Sequence, residues 1–341
     1  MKDAQNAKIG VIGAGSWGTA IAGMLGKKGY NVDLWAYEQE VCRSIAEERE
    51  NKIFLPGIRL SENIRVSNDL ALVARGKDLL VMVVPSHVMR KVAQRAADEI
   101  DDGTFLLTAA KGIENRTHLT MTGVLSEVMP GHKASLAVVS GPSFAEEVSR
   151  EMPTVVTAAS EDPDVAEYVQ QVFATHFFRV YTNPDVIGVQ LGGAVKNVIA
   201  IASGIVDGLK LGLNSRAALV TRGLTEIRRL GIRLGANPHT FAGLSGVGDL
   251  VLTCTGTLSR NHTVGKMIGE GKSLDEILSH MSMVAEGVRT AKSVYNMSKK
   301  LGVEMPIADS VYAVLYEDLK PQEAVYQLMT RSLKSELEDV E

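Results

Sequence analysis

Eight short apolar runs punctuate the first 180 or so residues: KIGVIG (8–13), NVDLWA (31–36), NIRVS (63–67), LLVMVV (79–84), TFLLTA (104–109), SLAVVS (135–140), TVVTAA (154–159) and FFRVYT (177–182). Helical stretches separate them. A near-continuous apolar run cannot leave one face to water, so each run predicts a strand covered on both faces. Strands of that kind alternating with amphipathic helices predict a doubly wound, mostly parallel sheet. After Asn183-Pro184 the runs stop, and helical segments punctuated by glycine follow, among them AALVTRGLTEIRRLG, SLDEILSHM and GVRTAKSVYNMSKKLG. This change of texture predicts an α/β domain over residues 1–184 and an all-α domain over residues 185–341.

Length agrees with that division, since single cores rarely grow beyond ~250–300 residues. Thirty-six basic against 40 acidic residues give a net charge of −4, so no global charge points to nucleic acid or an acidic membrane surface. Arg228, Arg229 and Arg233 read as a solvated helix face. The two cysteines, Cys42 and Cys254, form no CxxC or His/Cys cluster, which fits a reducing compartment and no structural metal. The N-terminus lacks the basic and apolar regions of a signal peptide. Residues 186–206 have the length of a membrane span, but Gln190, Lys196 and Asn197 interrupt it, and a lysine there costs ~2.5–3.5 kcal/mol. The stretch is therefore read as a buried helix of a soluble domain, with no integral membrane segment.

GAGSWG (13–18) supplies G-x-G-x-x-G between the first strand and the helical TAIAGMLGKKG. In that context it predicts a dinucleotide site: Gly13 for the tight turn, Gly15 for approach of the pyrophosphate, and Gly18 for close helix–sheet packing. An NAD site usually carries an acid about 20 residues further on. Asp33 has that spacing, but Leu34, Trp35 and Ala36 follow it, so it reads as mid-strand. The strand tip is Ala36-Tyr37-Glu38, and the choice between NADP and NAD stays open. Two further turns, VVPSH (83–87) and AAKGIE (109–114), leave strands on the same edge, where ligands bind in doubly wound sheets. That position turns Lys111 toward the crevice.

The second polar feature is QLGGAVKNVIAIASG (190–204). On a helix the neighbours of Lys196 are Gly192, Gly193, Ala200 and Ser203, with Ile199 the one large side chain. Small neighbours leave space, to be filled by another helix or by a ligand. Lys196 then either snorkels to solvent or lines a pocket, where desolvation and a second cation such as Lys111 lower its pKa toward a range useful for proton transfer. In GLSGVGDLVLTCTGTLSRNHTVG (243–265), Asp249 is either a helix N-cap or the carboxylate that balances Lys196. Ser259-Arg260-Asn261 is either a plain capping segment or an anion site made of helix amides and a guanidinium. No Ser-His-Asp pattern, HExxH or nucleophile elbow is present in the sequence.

Taken in order, VIGAGSWGTA, VVPSHVMR, AAKGIE, SGPSFAEEV, GGAVKNVIAIASGIVDGL, LSGVGDLVLTCTGTLSRN and VAEGVRTA resemble the bacterial-type NAD(P)-dependent glycerol-3-phosphate dehydrogenases, from about residue 8 to 320. The resemblance implies a Rossmann-type domain followed by an all-helical domain. It implies that Lys196 is the general acid/base at the substrate C2 oxygen, with Lys111 a second amine contacting substrate and cofactor and Asp249 completing the catalytic set. Gly141 and Ser143 would line the substrate and Ala145 the cofactor. Asp249, Ser259, Arg260 and Asn261 would hold the glycerol phosphate, Arg260 also reaching the cofactor. Ser16, Trp17 and Tyr37 would touch the dinucleotide, as would Val284 and Glu286. The small neighbours of Lys196 would leave room for a three-carbon phosphate and a nicotinamide ring, while Asn197 is left without a role. A cytoplasmic homodimer supplying glycerol 3-phosphate to phospholipid synthesis is the implied setting. The rival readings are a β-hydroxyacid dehydrogenase, which needs a carboxylate anchor in place of SRN, and a cofactor-binding regulator without turnover.

Overall fold

Each of the eight apolar runs forms a strand of one sheet in a computed structural model, which describes residues 3–281 and 285–336. In chain order the strands are β1 (Ile9–Ile12), β2 (Val32–Trp35), β3 (Glu50–Asn51), β4 (Leu55–Arg59), β5 (Ile64–Ser67), β6 (Leu79–Met82), β7 (Phe105–Thr108), β8 (Leu136–Ser140), β9 (Thr154–Ala159) and β10 (Phe178–Asn183). The sheet runs β10-β9-β8-β7-β6-β1-β2-β5. All four residues of β1, β2 and β6 are buried, as double coverage by helices requires. The pairs Ile12↔Trp35, Ile12↔Met82 and Met82↔Thr108 set the carboxyl ends of β1, β2, β6 and β7 level with one another. From this edge the glycine loop and the turns after β2, β6 and β7 emerge.

Pairing is parallel throughout except between β8 and β9, which run antiparallel from Val138↔Ala159 to Ser140↔Thr157. The chain between them carries only the short helix Ala145–Ser149, so it turns back instead of crossing over. A separate hairpin of β3 and β4 lies outside the periodic pattern, because Pro56 and Gly57 interrupt it and β4 is mostly exposed. Asn51 in this hairpin is wholly buried, and its amide donates to Ala14 O and Thr19 Oγ1, both at 2.8 Å. The hairpin thereby braces the glycine loop.

The chain clusters into two compact units. One runs to Ala110 and resumes over Met121–Val186; the other takes Lys111–Thr120 and the chain from Ile187 onward. Residues 111–120, which the texture reading assigns to the first domain, thus fold with the helical unit. The reason is local: Ile113 is buried in the helical core, and its carbonyl accepts from Ser293 at 3.1 Å.

In the helical unit the central element is Val186–Gly208. It is long and apolar enough to cross a membrane, but 89% of its apolar window is buried inside the protein. Glycines bring its backbone against that of helix Arg260–Gly269. A Cβ at Gly204 would lie 2.0 Å from the His262 carbonyl oxygen, one at Gly208 2.3 Å from that of Lys266, and one at Gly265 1.9 Å from that of Ile201. Elsewhere a buried carboxylate, Glu226, caps helix Pro306–Tyr316 by accepting the amides of Ile307 (2.7 Å) and Ala308 (3.1 Å). Its burial pushes its pKa up to about 8. Ala is the better helix former, so Gly204→Ala would stabilise an uncrowded helix by up to ~1 kcal/mol. Here it should instead destabilise by about 1–3 kcal/mol, since two backbones must part. Chemical denaturation of the purified variant checks the sign.

Candidate active site

The glycine loop follows β1 because Gly13 takes φ +119°, a value that side chains resist, with its amide on the Trp35 carbonyl at 3.1 Å. A Cβ at Gly18 would sit 1.8 Å from Gly13 O, so no larger residue lets the helix start so close to the strand. At Gly15 a Cβ would meet nothing within 4 Å. Helix Ser16–Lys27 begins there without a side-chain cap. An open approach facing uncapped helix amides suits a pyrophosphate, so these residues fit a dinucleotide. Among the neighbours, Ser16 Oγ donates to Phe54 O at 2.6 Å, and Trp17 packs half-buried on the core. Tyr37 is 72% exposed at the tip of β2, edge-on to Trp35. Asp33 is buried and held by Lys77 (2.8 Å) and Arg65 (3.1 Å), which removes it as a ribose acceptor. After β8, Gly141 takes φ +144° and accepts from Ser143 Oγ at 2.9 Å; Ala145 opens the helix that follows.

The helical unit holds the ionisable cluster. Asp249, wholly buried, starts helix Asp249–Thr255 after the π turn Leu244–Gly248. One carboxylate oxygen accepts from Lys196 Nζ, the other from Lys111 Nζ at 2.8 Å. Lys196, 5% exposed, also donates to Thr253 Oγ1 at 2.7 Å. That hydroxyl donates in turn to the Asp249 carbonyl at 2.6 Å, so its lone pair is aimed at the ammonium. An ammonium has three donors, and these two bonds fix its direction. Desolvation pulls the Lys196 pKa down to about 7, against the attraction of Asp249 and with the repulsion of Lys111. The lysine is therefore held between its charged and neutral forms. Cys254, one residue past Thr253, is an inert thiol, pushed up to about 12 by burial.

Thr253 was missing from the sequence reading. Its signal was the i+4 spacing from Asp249 within DLVLT, which puts both on one helix face. Two of the small neighbours of Lys196, Gly192 and Ser203, admit a neighbouring backbone. A Cβ at Gly192 would strike Ser245 O at 2.2 Å, and Ser203 Oγ donates to Cys254 O at 2.9 Å. The backbone of 245–254 occupies that face, bringing Asp249 within reach of the amine.

Ser259 is the N-cap of helix Arg260–Gly269, accepting the His262 amide at 3.2 Å. Asn261 is buried: its amide nitrogen donates to Asn197 Oδ1 and its oxygen accepts the Gly287 amide, both at 2.9 Å. Asn197 thus ties the Lys196 helix to the turn after Ser259. Arg260 projects from that turn, exposed, within electrostatic reach of Glu286, the first residue of helix Glu286–Leu301. Val284 lies outside the described residues.

Residues 8–166 match the family model for the N-terminus of NAD-dependent glycerol-3-phosphate dehydrogenase, and residues 185–326 match that for its C-terminus. The glycerol-3-phosphate dehydrogenase (NAD(P)+) of Citrifermentans bemidjiense is 55% identical over 330 residues, 96% of this chain and 98% of that protein. That of Geobacter sulfurreducens is 56% identical over 330 residues, with the same shares covered. Among solved structures, the glycerol-3-phosphate dehydrogenase of Coxiella burnetii matches with a TM-score of 0.92 at 39% identity, covering 96% of this chain and all of that one.

The glycine loop can be tested by separating its packing from its binding. Gly18→Ala should lower stability by about 1–3 kcal/mol. Gly15→Ala should stay within about 1 kcal/mol of the parent yet weaken NADPH at least about tenfold, because its methyl enters the space of the pyrophosphate. Thermal melts and fluorescence titration with NADPH measure the two effects.

Proposed function

The chain belongs to the NAD-dependent glycerol-3-phosphate dehydrogenase family, and on that premise we propose that it interconverts sn-glycerol 3-phosphate and dihydroxyacetone phosphate, with Lys196 moving the proton. The observation that carries the reading is the buried Lys196, poised near pH 7 between Asp249, Thr253 and Lys111. NADP or NAD, bound on GAGSWG, supplies or takes up the hydride at substrate C2. In the reducing direction an N–H bond of the Lys196 ammonium breaks and its proton passes to the carbonyl oxygen, whose π pair becomes the new O–H bond. With all three groups ionised, the cluster of Lys196, Lys111 and Asp249 carries +1, and losing that proton leaves it neutral. A neutral cluster is the cheaper state in a dry site, so desolvation favours the transfer. In the oxidising direction neutral Lys196 takes the proton back.

Arg260 is the anchor for the phosphate, offering a guanidinium at a helix N-terminus. Ser259 and Asn261 flank it: Ser259 accepts the His262 amide and keeps a hydroxyl proton to donate, and Asn261 keeps a second amide proton beside its bonds to Asn197 and Gly287. Gly141 and Ser143 serve the substrate and Ala145 the cofactor. The setting is cytoplasmic, the assembly a homodimer, and the product serves phospholipid synthesis. The rival reading is a β-hydroxyacid dehydrogenase. Such an enzyme turns over 3-hydroxy acids and ignores dihydroxyacetone phosphate. A regulator without turnover has no use for a half-neutralised buried lysine.

Oxidation of NADPH by dihydroxyacetone phosphate tests the reading directly. Lys196→Met, which keeps the stem volume, should lose about 10²–10⁴-fold in kcat with NADPH affinity retained. Near-normal turnover would remove Lys196 from the mechanism. For the parent, kcat/KM for reduction should fall as pH rises through about 7, because the ammonium is the acid. For oxidation it should rise through the same range, because the free amine is the base. Profiles of the same sign in both directions would contradict that assignment.

A further inference from the structure

Lys111 reaches Asp249 only because residues 111–120 leave the sheet unit and fold with the helices. The segment is closed on itself: Ile113 bridges Thr120, the Glu114 amide donates to Leu119 O, and the His118 amide donates to Glu114 O, the last two at 2.9 Å. His118 takes φ +62° to complete the turn. A closed loop still needs an attachment, and helix Glu286–Leu301 provides it through Ser293. This side chain is wholly buried, and its single hydroxyl proton is shared between Ile113 O (3.1 Å) and Asn115 Oδ1. Ile113 itself is 3% exposed in the helical core. The attachment lies two residues after Lys111, so the Lys111 backbone stays within about 7–8 Å of a fixed point. From there its amine reaches Asp249 at 2.8 Å.

We propose that Ser293 is a positioning residue for this reaction: by clamping Ile113 and Asn115 it holds the Lys111 amine on Oδ2 of Asp249, whose Oδ1 takes Lys196. The inference rests on the function proposed above for Lys196 and Lys111. Its consequence is electrostatic. Asp249 and Lys111 are the charged groups that act on Lys196, and the Cys254 thiol beside them stays protonated. Loosening the segment withdraws one cation from the neighbourhood of Lys196 and frees Asp249 to serve it alone. Both changes favour the ammonium, so its titration moves to higher pH.

Ser293→Ala is assayed with NADPH and dihydroxyacetone phosphate across pH, beside the parent and Lys111→Met. The expected result is a fall of about tenfold in kcat/KM, NADPH affinity unchanged, and the alkaline limb of reduction displaced upward by about half a pH unit or more, toward its position in Lys111→Met. Hydrogen exchange at residues 113–120 should quicken while the rest of the helical unit keeps its protection. Asn115→Ala, at a partly exposed position, provides the same reading should Ser293→Ala fold poorly. A limb and an exchange pattern identical to the parent in both variants overturn the proposal. A parent protein inert toward dihydroxyacetone phosphate instead overturns the function proposed above, and the exchange measurement still reads the clamp.

Discussion

A carboxylate with no exposed surface, Asp249, is the constraint around which the helical unit is arranged. An unpaired charge in that position would be prohibitive, so it must be met by cations. Two lysines do so, one on each oxygen, and they come from points 138 and 53 residues away in the chain. Removing either lysine leaves the remaining pair differently charged, so none of the three groups acts alone. Burial and the excess of one positive charge together hold the Lys196 pKa well below that of an exposed lysine.

Such a cluster requires backbones to approach more closely than ordinary side chains allow. Gly192 admits the Ser245 carbonyl, and Gly204, Gly208 and Gly265 let helices Val186–Gly208 and Arg260–Gly269 touch along their backbones. Asn197 adds a polar tie to the same pair through Asn261. The helix that carries Lys196 and the turn that carries Arg260 are therefore packed directly together. A side chain added on this seam displaces Lys196 and Arg260 together.

Much of this was legible in the chain. The eight strands of the main sheet announce themselves because a strand buried on both faces must be apolar without interruption, and the glycine loop because φ and close approach demand glycine at 13 and 18. Lys196 stood out as a charge in an apolar run. Strand direction was hidden, since β9 reads like its neighbours and only the short connection after β8 reverses it. The hairpin of β3 and β4 was hidden because one of its two buried side chains, Asn51, is polar and the other, Leu55, is followed at once by Pro56 and Gly57. Small residues beside Lys196 suggested space for a ligand, but the same pattern serves a closely packed backbone, and sequence cannot distinguish a void from a neighbour.

What the sequence determined by itself was the order of elements, the dinucleotide loop and the identity of the ionisable residues, because each follows from local periodicity or from the conformational needs of single residues. The tertiary structure alone decided which of those residues meet. Residues 111–120 fold with the helices, Thr253 bonds the Lys196 amine, and Asn261 meets Asn197 and Gly287. The physical reason is that pairing between Lys111, Lys196 and Asp249 depends on through-space distance and on exclusion of water. Neither quantity is a property of any one stretch of chain.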